Sequence, residues 1–353
     1  MFWCRPVAAV AAFLISLYGL TGTVRAAQDG SCRPVSIPVA IGKHVPEIIS
    51  AQFCVPGGTV APATVQVLIP GATYSGIYWN FPYEPGKYSY VNAMLAAGYA
   101  TLDVDPLGTG HSSHPPSALV TMETDASAVH QVIHAARQGM FGIGFSQVIV
   151  VAHSMGTAVA WREAAVYHDI NGLVATGNVH QPALPGAAQG VADLYPASLD
   201  PRFARAGLDP GYLTTRPGTR GAVFYDEADA DPRVIALDER TKDTATATYV
   251  ATYFAEDIDA DTARINVPVL IAAGQDDRLM CVGSLATDCS SSSALLASER
   301  PYYGGNACLR AYVLPAAGHD INLALNARDF FAVAAQWSDT WVGTGDSAPS
   351  RRC

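Results

Sequence analysis

The chain has 353 residues, half of them apolar, with 31 acidic against 21 basic side chains and a formal net charge of −10. That length and apolar fraction suffice for one large core carrying an insertion. The acidic balance, with no basic run or aromatic-interleaved patch to offset it, excludes a nucleic-acid partner.

Residues 7–20 form an almost unbroken apolar run, matching the hydrophobic segment of a secretory leader and too short to cross a bilayer comfortably. Val24-Arg25-Ala26 then puts small residues three and one before a cleavage point. Residues 1–26 therefore read as a signal peptide, cut near Ala26/Ala27, and the mature chain is expected to be secreted. No later stretch reaches transmembrane length, so stable membrane insertion is not expected. In an oxidising compartment cysteines favour disulfides over metal ligation. Cys4 leaves with the leader; Cys32, Cys54, Cys281, Cys289, Cys308 and Cys353 remain. Cys32 with Cys54 would tie the ends of an N-terminal hairpin. Cys281 with Cys289 would staple a later loop, with Cys308 an alternative to either partner.

From there short β-branched runs alternate with Ala-rich segments, which predicts a βαβ succession and a mainly parallel central sheet flanked by helices. Buried strands are expected at residues 64–69, 99–104, 147–152 and 267–273, and helices at 90–97, 124–138, 156–167 and 322–337. Residues 181–264 break the alternation with many Pro, Gly, Asp and Thr residues and short helical patches such as 243–256. A connection this long is unusual unless it serves a function, so it reads as an inserted cap. The core is then residues 27–180 and 265–341, followed by a flexible tail, 342–353.

The sharpest local signal is Val148-Ile149-Val150-Val151-Ala152-His153-Ser154-Met155-Gly156, a buried strand running into small-x-Ser-x-Gly and an Ala-rich helix. This is the context of a nucleophile elbow, where residues two before and two after the serine must be small for strand and helix to approach. Ala152 and Gly156 meet that need, although Ala152 puts a methyl group where glycine is usual. A serine hydroxyl needs a base to take its proton. Of nine histidines, His319 stands at the end of a short strand in a Gly-His loop before the last helix. His153 should point away, because adjacent side chains on a tight turn diverge. His111, His114, His130, His134, His168 and His180 read as surface, loop or packing residues. An acid to fix the tautomer of His319 is available after the strand at 267–273, where Asp276 and Asp277 stand side by side and the residues alone do not separate them. For a developing oxyanion, the Met155 N–H follows the nucleophile, and Ala72, with Thr73 as runner-up, lies where the strand at 64–69 opens into a Gly turn. Tyr74, Tyr78 and Trp79 nearby could line an acyl pocket or form core beneath the cap.

The ordered set Ile69-Pro70-Gly71-Ala72-Thr73-Tyr74, Asp105-Pro106-Leu107-Gly108-Thr109-Gly110, Ala152-His153-Ser154-Met155-Gly156, Gly274-Gln275-Asp276-Asp277 and Gly318-His319 resembles the secreted α/β-hydrolase superfamily, over residues 63–337. The resemblance implies the α/β-hydrolase fold and points to Asp277, three residues after the glycine, as the acid. Pro70 departs from the family's pattern, which usually has histidine there; the oxyanion donors are backbone groups and survive the change, while the loop's usual side-chain hydrogen bonds do not. The resemblance further implies a serine hydrolase of the esterase or lipase kind, acting on a small-molecule ester or lactone through an acyl-enzyme, with no metal or organic cofactor called for. A transesterase or cyclising thioesterase, or a non-catalytic binding module on the same scaffold, are the rival readings. Gly108-Thr109-Gly110 lacks the third glycine and the helix of a dinucleotide fingerprint. The carboxylates at 226–231 and 257–261 lack the Gly and bidentate Glu of a calcium loop and read as solvated.

Overall fold

In the computed structural model, which describes residues 1–2, 30–42, 45–58 and 61–345, strands and helices alternate along most of the chain. The strands are β1 (Ser31–Ile41), β2 (Val45–Val55), β3 (Thr64–Ile69), β4 (Ala100–Asp105), β5 (Gln147–His153), β6 (Gly172–Thr176), β7 (Leu194–Pro196), β8 (Tyr212–Thr215), β9 (Ala245–Thr246), β10 (Val269–Gly274) and β11 (Arg310–Leu314). The helices are α1 (Pro85–Tyr88), α2 (Tyr90–Ala96), α3 (Met122–Arg137), α4 (Met155–Tyr167), α5 (Leu184–Ala192), α6 (Arg220–Phe224), α7 (Pro232–Thr241), α8 (Ala247–Ala255), α9 (Ile258–Arg264), α10 (Ser292–Glu299) and α11 (Ala327–Trp341). Most of the expected leader, its cleavage point, and Cys353 in the tail lie outside the described residues. Among the described residues no helix is long and apolar enough to cross a membrane.

Eight strands form one sheet in the order β1-β2-β4-β3-β5-β6-β10-β11. β2 is antiparallel to both neighbours, and every other pairing from β4 to β11 is parallel. The central strands are buried on both faces, and their side chains divide with the period of two that a pleat imposes. Val65, Val67 and Ile69 of β3 and Val148, Val150 and Ala152 of β5 pack into one core with Val129, Ile133 and Val159 of α3 and α4. Leu68, Ile149 and Val151 face the opposite core, built with Val91 and Met94 of α2 and Phe330 and Phe331 of α11. Burying each such side chain contributes about 1.5–3 kcal/mol. This is an α/β-hydrolase fold.

β1 and β2 form the edge hairpin, with Cys32 opposite Cys54 in register, their Cα atoms 4.1 Å apart and their sulfurs bonded. Cys281 is bonded to Cys289, and Cys308 is disulfide-bonded as well. Several element ends differ from the sequence expectation. The helix expected from residue 322 begins as a single 3-10 turn, Ile321–Leu323, and resumes as α11 at Ala327 after a break at Ala324–Asn326, where Asn326 bonds back to the Pro315 carbonyl. The patch at 243–256 opens with the short strand β9 before α8, because β9 pairs with β8 in a second, three-stranded sheet, β7-β8-β9. Between β6 and β10 lie that small sheet and helices α5 to α9; α9 packs on α4, beside the main sheet.

Candidate active site

β5 delivers Ser154 to the start of α4 in a conformation that side chains rarely adopt, φ 54° and ψ −128°. Holding a residue there costs of order 1–3 kcal/mol, which the packing around it must offset. Two close approaches make the turn possible. A Cβ on Gly156 would lie 2.3 Å from the Pro70 carbonyl oxygen, and one on Gly71 would lie 2.8 Å from the Ser154 Cβ. The methyl of Ala152, by contrast, fits the buried core without displacing the strand.

His319 joins the serine to an acid. Its Nε2 lies 2.8 Å from Ser154 Oγ and its Nδ1 lies 2.8 Å from Asp277 Oδ2. The other oxygen of Asp277 accepts the Leu279 and Met280 N–H groups at 2.8 and 3.1 Å, which fixes the carboxylate against rotation. Asp277 is fully buried, whereas Asp276 next to it is partly exposed and makes no contact with His319 among these bonds. Burial opposes the charged form of His319, but the charge and hydrogen bond of Asp277, with the charge of Asp320 behind them, outweigh it and raise the imidazole above its ordinary range.

A cleft of about 90 Å3, partly open to solvent, lies over Ser154. Ala72, Thr73 and Met155 line it with the serine, and Pro182, Leu194, Phe224, Tyr253, Leu279 and Met280 are among its walls. The wall is almost wholly apolar, and no Asp, Glu, Lys or Arg contributes to it. Met155 is the first residue of α4, so its N–H has no partner within the helix. The Gly71–Tyr74 segment closes as a turn, with the Tyr74 N–H on the Gly71 carbonyl and Thr73 at φ 64°.

Tyr74, Tyr78 and Trp79 do not line this cleft. They are buried beneath it, packed edge-on as neighbours 5.1 and 4.9 Å apart, in the core on the α2 and α11 face. Tyr78 also stacks on His153, 4.5 Å away. His153 turns down from the elbow as expected, yet its ring centroid lies 4.8 Å from that of His319. His153 Nδ1 lies 3.0 Å from Thr176 Oγ1, whose hydroxyl also reaches the Ala152 carbonyl. His153 Nε2 lies 3.2 Å from Asp320 Oδ1, and burial pushes the Asp320 carboxyl up to about 6 against the opposing charges of His319 and Arg220.

Asp320 begins a buried polar chain that sequence reasoning missed. Tyr74 O–H reaches both Asp320 and Asp238, and Asp238 holds Arg220 through two bonds of 2.9 Å. Arg220 is fully buried, lies 4.1 Å from the Tyr74 ring centroid, and donates to Thr73 Oγ1 at 3.0 Å. Arg220, from the segment between β6 and β10, thus braces the turn that follows Pro70. Thr73, Tyr74 and Asp320 lie beside motifs that the sequence marks, whereas Asp238 and Arg220 sit in an irregular stretch with no such signal. The one group of His, Cys, Asp or Glu side chains with metal-ligating spacing among the described residues, His130, Glu163 and Asp169, is elsewhere.

The model of the alpha/beta hydrolase family matches residues 66–335. No curated protein matches the sequence. Among solved structures, an E-2-(acetamidomethylene)succinate hydrolase is 16% identical, with 87% of this chain and 100% of the other covered at a TM-score of 0.57. An enol-lactonase from Burkholderia xenovorans is 18% identical over 85% and 98% of the two chains, TM-score 0.54. An esterase from Exiguobacterium antarcticum is 15% identical over 86% and 99%, TM-score 0.59. At such identities the likeness is one of fold.

Proposed function

The chain belongs to the alpha/beta hydrolase family, and from that premise we propose that it is an exported serine hydrolase of carboxylic esters or lactones, with Ser154 as nucleophile, His319 as general base and Asp277 as orienting acid. The observation that carries this reading is the unbroken relay Ser154 Oγ, His319 Nε2, His319 Nδ1, Asp277 Oδ2, with both links at 2.8 Å. Ser154 attacks the carbonyl carbon as His319 takes its proton, and the N–H groups of Met155 and Ala72 receive the charge that develops on oxygen. His319 then returns the proton to the leaving alkoxide. Water, deprotonated by the same imidazole, releases the acyl group from Ser154.

Residues 181–264 act in this reading as a cap, since Ala187, Val191, Leu194, Phe224 and Tyr253 from that segment wall the cleft. The apolar lining favours an uncharged, medium-sized acyl or alkyl group. Export is supported by the disulfides, which persist in oxidising compartments.

The test is to label the protein with a fluorophosphonate and map the adduct. An adduct on Ser154, lost in His319→Ala and accompanied by Ser154-dependent turnover of esters or lactones, is expected. Labelling elsewhere, or turnover that survives Ser154→Ala, overturns the reading. Adding a competing alcohol and identifying the products separates hydrolysis from acyl transfer.

A further inference from the structure

Glu163 lies on α4 with none of its surface exposed; neither of its carboxylate oxygens meets an N–H or hydroxyl donor, and burial together with the facing Asp169 carboxyl raises it well above its ordinary range. Oδ1 of Asp169, in the turn after α4, is also buried and unpartnered. Both carboxylates face one imidazole of α3: His130 Nδ1 is 2.7 Å from Asp169 Oδ2 and 4.0 Å from Glu163 Oε1. One ligand atom from each of the three lies within 4.8 Å of the others. Arg137 acts on Glu163 through its charge alone, because its hydrogen bonds go to the Asp169 and Ser146 carbonyls and to Asn171 Oδ1. Buried carboxylate oxygens without donors are costly, and a hydrogen bond to His130 satisfies one of them.

We propose that His130, Glu163 and Asp169 bind one divalent transition-metal ion of the zinc class, which fastens α3 to the C-terminal end of α4. One imidazole nitrogen with carboxylate oxygens suits zinc, whereas calcium and magnesium favour all-oxygen shells. Zinc-to-ligand distances of about 2.0–2.2 Å place tetrahedral ligand atoms roughly 3.5 Å apart, so the His130–Asp169 pair opens slightly and Glu163 closes. Stacking of His130 on Tyr167, 4.0 Å away and 7° from parallel, holds the ring in the plane this requires. A water completes the shell from the exposed side of His130. Glu163 is about 13 Å along α4 from Ser154 at ~1.5 Å per residue, so the ion supports the fold and takes no part in acyl transfer.

The test is isothermal titration of the chelator-stripped protein with zinc chloride, alongside thermal unfolding with and without the metal. One equivalent bound, a raised unfolding midpoint and unchanged fluorophosphonate labelling are expected. Glu163→Gln, whose amide can donate to Asp169, should fold and weaken binding by ~10-fold or more. His130→Ala, on the half-exposed side, should do the same and serves if the first variant fails to fold. No binding to the wild type, equal binding in both variants, or binding without a shift in unfolding overturns the proposal. A proton shared between the two carboxyls is then what the pocket holds.

Discussion

In the proposed mechanism His319 must be neutral to accept the proton of Ser154, and its imidazole is raised above the ordinary 6.5 because Asp277 outweighs the opposing effect of burial. The kcat/KM profile should therefore rise with pH through a midpoint above 6.5. Stability runs in the opposite sense. A histidine raised in the fold contributes its full stabilisation below the unfolded value and loses it as pH climbs through the folded one. In Asp277→Asn the midpoint should fall and kcat drop on the order of 10^3–10^4-fold, as a misoriented tautomer requires. A wild-type midpoint at or below the ordinary imidazole value would contradict the assignment. Thr73 provides a finer residue-scale check. Thr73→Val removes the Arg220 hydrogen bond while leaving the backbone donors in place. A loss of about 1–2 kcal/mol in transition-state stabilisation, roughly 5–30-fold in kcat with KM unchanged, is expected if the turn is held by that bond. An equal rise in KM instead would mean that Thr73 serves ground-state binding.

At the scale of elements, the β1–β2 hairpin is an edge unit tied across its open end. The Cys32–Cys54 bond closes a loop of 22 residues, worth about 3 kcal/mol in chain entropy. Cys32→Ser with Cys54→Ser should lower the free energy of urea unfolding by about that amount and leave Ser154 labelling intact, since the hairpin is remote from the elbow. The β5–α4 joint behaves differently because it has no slack. Gly156→Val would drive side-chain atoms into the Pro70 carbonyl, already 2.3 Å from the position of a Cβ. A loss of several kcal/mol, of the order that core overpacking reaches, is expected in denaturant unfolding, with labelling lost as well. A variant that unfolds like the wild type would show that the elbow is looser than its geometry implies.

For the whole molecule, the segment between β6 and β10 and the loops at the end of the sheet together wall an apolar cleft, so selectivity should come from burial rather than charge. Along a series of p-nitrophenyl esters, each added methylene should improve kcat/KM by up to ~0.8 kcal/mol, about fourfold, until the cleft is full. Esters of dicarboxylic half-acids should be poor substrates, because the walls offer no cation. A preference for charged acyl groups would refute this. Much of the scaffold was readable along the chain, since the pleat's period of two and the helix's 3.6 write burial into neighbouring residues. The strands at 64–69 and 147–152 and the elbow with its small flanking residues are signals of this local kind. β6 was not, being short and bounded by Gly172 and Thr176. Whether Tyr78 and Trp79 face a substrate or a core, which of Asp276 and Asp277 turns toward His319, and that Arg220 braces the turn beside Ser154 depend on how distant segments close on one another. Local patterning states whether a side chain is buried; only the folded chain decides which buried polar groups meet, because their partners lie more than a hundred residues away in sequence for Thr73 and Arg220 and adjacent in space.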